Sequence, residues 1–171
     1  MKKFLSVLCG MCLILFCACG QTADGDSPPD LPEQFSGDAA VSIGDYTMLA
    51  HVEYAPEYLE VTFQSPVALN KMKMTYTGDA CSIAYDGLSL SLDVSGFPQA
   101  AFGRVIVQTM RQCVAGADIT INRTESGWLY IGSSAFGDFE VLQDPSTGAL
   151  TRIFCPEIQA TIEFSNIQTQ S

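Results

Sequence analysis

The chain has 171 residues, with 8 Lys or Arg against 19 Asp or Glu, for a formal net charge of −11. So acidic a surface excludes nucleic acid as a partner, because phosphate contacts need clustered basic side chains. The length suits one domain with a real core rather than several.

In chain order, Met1 to Gln21 comes first and has the form of an export signal. Lys2 and Lys3 give a short positive start, and Phe4 to Phe16 is an apolar run too short to span a bilayer permanently. It ends in Phe16-Cys17-Ala18-Cys19-Gly20. That ending resembles the lipobox of bacterial lipoproteins: a bulky apolar residue, a tolerated residue, a small residue, then the modified cysteine. The resemblance implies removal of residues 1–18, lipidation of Cys19 with acyl chains such as palmitate, and an extracytoplasmic, membrane-anchored protein. An ordinary secretory signal or a signal anchor is the alternative. Removal takes away Lys2 and Lys3 and no acid, so the charge falls to −13 and the acyl anchor must hold the chain at the membrane. Cys9, Cys12 and Cys17 leave with the signal and carry no metal or redox argument.

Residues 19–36 are rich in Asp, Pro, Gly and Ser, with Pro28-Pro29 and Pro32, and lack an apolar period. They read as a flexible tether. A single domain over 37–168 follows. Ala39, Val41 and Ile43 alternate with Ala40 and Ser42, Gly44-Asp45 makes a two-residue turn, and Tyr46, Met48, Ala50, Val52 and Tyr54 form the next apolar row. Leu59, Val61 and Phe63 make a third strand, Met72, Met74 and Tyr76 a fourth, and Cys81, Ile83 and Tyr85 a fifth. Asp86-Gly87 is a strong hairpin signal before Leu88, Leu90, Leu92 and Val94.

Period two stops at Phe97-Pro98. Phe102, Val105, Ile106, Met110 and Cys113 then fall on one helical face, with Pro98 suited to a first turn and Gly116 to a stop. Strands return at Asp118–Arg123, Gly127–Ile131, Asp138–Leu142, Ala149–Phe154 and Ile158–Phe164, with Asp144-Pro145-Ser146-Thr147-Gly148 as a type I turn. The expected fold is mainly β: a curved antiparallel sheet or half-barrel of about eleven strands, with one helix on its concave face.

These elements, the DFEVLQDPSTGALTRIF and ATIEFSNI stretches, and the Tyr85-Asp86-Gly87-Leu88 hairpin resemble LolA-like half-barrel lipoproteins, a class that includes lipid-binding lipoproteins of the LppX type. The resemblance spans about Phe35 to Gln168. The long helix that opens lipoprotein carriers is missing, since only Pro32-broken Leu31–Phe35 precedes the first strand, and no counterpart of the carriers' functional arginine can be placed. The resemblance therefore implies passive binding of an apolar ligand, such as a lipid or acyl chain, rather than shuttling. Its lining would be Met48, Val52, Val61, Phe63, Met72, Met74, Leu90 and Leu92, with Phe102, Ile106 and Met110 as plug or lid. The alternative is a packed β domain that contacts an envelope protein through its surface.

Nothing points to an enzyme. His51, the sole histidine, shares the polar side of its strand with Glu53, and no nucleophile stands at a recognisable spacing. Ser133-Ser134 in Gly-Ser-Ser-Ala-Phe-Gly does not form a nucleophile elbow. No phosphate loop, zinc spacing or calcium loop occurs, so no cofactor or metal is expected. Cys81, Cys113 and Cys155 are dispersed singletons, and either a disulfide between two of them or three small buried hydrophobes fits the spacing.

Overall fold

A computed structural model describes residues 27–78, 80–92 and 101–169. Cys19 with its lipobox and the Phe97-Pro98 break lie outside the described residues. Among the described residues, no helix is long and apolar enough to cross a membrane.

Eleven strands and one α-helix make up the described fold: β1 Phe35–Ile43, β2 Tyr46–Ala55, β3 Tyr58–Ser65, β4 Lys73–Thr77, β5 Ala80–Tyr85, β6 Leu88–Leu92, α1 Ala101–Ala115, β7 Thr120–Thr124, β8 Gly127–Ser134, β9 Gly137–Gln143, β10 Leu150–Cys155 and β11 Ala160–Thr169. All eleven belong to one open antiparallel sheet in the order β6-β5-β4-β3-β2-β1-β11-β10-β9-β8-β7. Two meanders therefore lie side by side, joined where the last strand pairs with the first. In that seam Ala39 faces Phe164, Val41 faces Ile162 and Ile43 faces Ala160.

Turn chemistry sets the register. Tyr85 pairs with Leu88 across Asp86 (φ 49°) and Gly87 (φ 80°), the two left-handed residues that a type I′ turn demands. The loop between β9 and β10 winds around the Asp144 carboxylate. Its Oδ1 accepts the backbone N–H of Ser146 at 2.9 Å and of Thr147 at 2.8 Å, and both hydroxyls, at 2.6 and 2.9 Å. These donors hold the Asp144 carboxyl well below the usual carboxylate range.

Alternation sends one face of each strand inward. Phe35, Ala39 and Val41 of β1, Ala50 and Val52 of β2, Leu59, Val61 and Phe63 of β3, Phe139 and Val141 of β9, and Ile162 of β11 are buried in one core. Helix α1 lies across that face, packing against β3 and β8. Phe102 meets Phe63 edge-on with ring centroids 6.1 Å apart. Gly103 is where the helix touches the sheet: a Cβ there would collide with the Tyr76 ring. A glycine inside a helix lowers its propensity to form. The structure uses it for close approach.

Several boundaries differ from the sequence reading. β1 begins at Phe35, within the expected tether, because Phe35 is buried against Tyr54 and Phe164. Met72 precedes β4 and is only partly buried, and Tyr46 at the β2 hairpin end is exposed. Ile158 belongs to a one-turn 3-10 segment, Pro156–Ile158, that turns through left-handed Gln159 into β11. Cys81, Cys113 and Cys155 are all free and buried, so the disulfide alternative fails and each packs as a small hydrophobe.

Candidate functional site

Eight of the eleven residues expected to line a ligand cavity sit in the packed core: Met48, Val52, Val61, Phe63, Met74, Phe102, Ile106 and Met110. Met72 packs at its margin, and Leu90 is 63% exposed. The side chain of Leu92 is outside the description. Helix α1 thus packs over the central part of the concave face as a structural layer.

Open space lies instead at the C-terminal end of α1. A groove of about 920 Å³ is walled by Pro28, Pro29, Leu31, Cys113, Val114, Ile121 and Tyr130, with Asp30, Glu33 and Gln34 on its rim. A second depression of about 310 Å³ shares Glu33 and Val114 and continues past Tyr54, Pro56, Glu57, Arg111 and Ala115. Arg111 is ion-paired to Glu57. Burial pushes the Tyr54 hydroxyl and the Cys113 thiol up to about 12, so neither supplies a nucleophile near neutral pH.

One side of this groove is the expected tether. Pro28 to Gln34 is docked on the domain, and its fastening is Gln143 at the end of β9. Gln143 is fully buried, and its Nε2 donates to Gly148 O at 3.0 Å, Pro29 O at 3.1 Å and Asp30 O at 3.3 Å. Its Oε1 accepts the Tyr130 hydroxyl at 2.9 Å. Sequence reasoning missed this fastening, since a glutamine at a strand end carries no pattern. Trp128 is buried, and the Arg123 guanidinium stands 5.0 Å over its ring.

His51 lies on the opposite, convex face. Its Nδ1 is 3.1 Å from Asp38 Oδ1, and Asp38 also accepts Gln64 Nε2 at 3.4 Å and Asn166 Nδ2 at 2.9 Å. The Asn166 and His51 contacts lower the Asp38 carboxyl from its ordinary value. This polar lattice ties β3, β2, β1 and β11 together, and among the described residues no nucleophile is hydrogen-bonded to His51. Among the described residues, no group of His, Cys, Asp or Glu is arranged to hold a metal ion.

No family model and no curated protein matches the chain. Solved structures do match its fold. An uncharacterized conserved protein from Thermus thermophilus aligns at a TM-score of 0.50 and 13% identity, covering 83% of this chain and 82% of that one. A structure of the CwlD amidase from Clostridioides difficile in complex with the GerS lipoprotein aligns at 0.53 and 10%, covering 81% and 87%. The structural neighbours also include the LolA superfamily protein NE2245 from Nitrosomonas europaea, at 0.40 and 8%, covering 87% and 90%. At such identities the likeness concerns the fold, an open antiparallel half-barrel.

Proposed function

We propose that this chain is a cell-envelope lipoprotein, anchored through Cys19, whose half-barrel binds a protein partner by its surface and is not an enzyme. The packed core beneath α1 carries this reading. Eight of the eleven residues that would line a lipid cavity are instead buried against one another and against α1. A fold neighbour solved within an amidase–lipoprotein complex supports it as an example of such use. The groove at the end of α1 is walled by the segment that leads back to Cys19, so a partner seated there would lie close to the anchor.

The groove's own size favours a second reading. About 920 Å³ lined by Leu31, Val114, Ile121 and Tyr130 is enough for a small apolar ligand. A photo-crosslinking residue placed at Val114, half-exposed on the groove wall, separates the two in the anchored protein. The expected result is a discrete protein adduct. Adducts to lipid alone would overturn the protein-partner reading in favour of the second.

A further inference from the structure

The sheet ends on one side in β6, Leu88-Ser89-Leu90-Ser91-Leu92, which pairs with β5 and with no strand beyond it among the described residues. Leu88 is 77% exposed and Leu90 63%, with Tyr85 beside them also exposed. An apolar edge strand of this kind is a template for another strand, and natural edges are usually blunted by Lys, Pro or a bulge. β6 has neither Lys nor Pro and holds an unbroken register with β5.

The strand also reads the same in both directions. In an antiparallel pair centred on Leu90, Leu90 of one copy faces Leu90 of the other, each Leu88 faces a Leu92, and each Ser89 faces a Ser91. A slip of one residue sets Leu90 opposite a Ser, so the side chains favour registers in which Leu faces Leu, and centring on Leu90 gives the most such pairs. We propose that β6 pairs with β6 of a second copy about a two-fold axis, giving a homodimer with one continuous sheet.

Charge favours this edge for a second copy. Two chains of formal charge −11 repel over most of their surface, but no charged residue lies between Leu88 and Leu92, so the contact brings no like charges face to face. The other edge, β7, does not serve. Its sequence Thr-Ile-Asn-Arg-Thr, paired with itself about Asn122, sets Ile121 against Arg123. Pairing β6 to β7 would be head-to-tail and open-ended, whereas β6 to β6 closes.

Sedimentation velocity over a concentration series tests the proposal on the chain from Cys19 onward, carrying Cys19→Ser so that no lipid intervenes. The expected result is a monomer–dimer equilibrium whose Kd rises about tenfold or more in Leu90→Lys, through lost apolar pairing and like charges at the axis. Leu90 is exposed, so thermal unfolding should confirm that the variant is folded. Asn122→Lys on the other edge should leave the equilibrium unchanged. A monomer at all concentrations, a dimer indifferent to Leu90→Lys, or β6 occupied by a strand of a different protein would each overturn it.

Discussion

Gln143 shows how much one side chain can hold. Its amide joins the β9–β10 loop, the Tyr130 hydroxyl and the Pro29–Asp30 backbone at a site without water access. Gln143→Leu keeps the volume but strands these partners, which costs about 1–3 kcal/mol for each buried polar group left unsatisfied. The expected outcomes are a lower denaturant midpoint and faster proteolysis near Pro28–Gln34. Gly103→Ala decides between two opposed effects. Alanine improves helix propensity by about 1 kcal/mol, while overpacking against a rigid ring costs about 1–3 kcal/mol. The Cβ would collide with the fully buried Tyr76, so the variant should be destabilised in urea titration. Cys113 and Cys155, with thiols pushed up to about 12 and about 11, should resist thiol reagents at pH 8 in the folded chain and react once it is unfolded. Asp38 gives a pH signature. Its folded carboxyl lies below its ordinary value, so its stabilisation is present above the unfolded value and lost as pH falls through the folded one. Asp38→Asn should therefore lower the unfolding midpoint at pH 7 and converge with the unmodified chain in strong acid.

The elements were legible because the chain alternates cleanly. Each of the eleven strands and α1 stands near its expected place, and Asp86-Gly87 forms the turn its residues demand. Three things were not legible. The β1–β11 seam joins residues more than a hundred positions apart, and alternation carries no information about which strand will be the neighbour. The docking of Pro28–Gln34 depends on Gln143 and on the buried Phe35, and neither leaves a periodic signal in a Pro-rich stretch. The candidate site was the least readable part. Alternation shows which side chains share a face but not what covers it, so Leu90 looks the same as Val61 in sequence while one is exposed and the other fully buried. The groove draws Leu31, Val114, Ile121 and Tyr130 from four separate segments, which no local pattern connects. Position in the sheet also predicts dynamics. Hydrogen exchange should be slowest in β1 and β11 at the centre and fastest in the edge strand β7, which has a ladder partner on one side only.

At the scale of the molecule, a half-barrel can enclose a ligand or be packed by its own helix, and here α1 and the sheet beneath it share one packed core. On the proposed function, the surfaces in use are a groove beside the chain that leads to Cys19 and an apolar edge at β6. Native mass spectrometry with lipid extraction, on the chain from Cys19 onward carrying Cys19→Ser and purified from a bacterial host, tests that claim most directly. A filled half-barrel predicts clean protein masses and no uptake of added phospholipid or fatty acid. Lipid that co-purifies in fixed stoichiometry and survives washing would contradict it and restore the ligand-carrying reading.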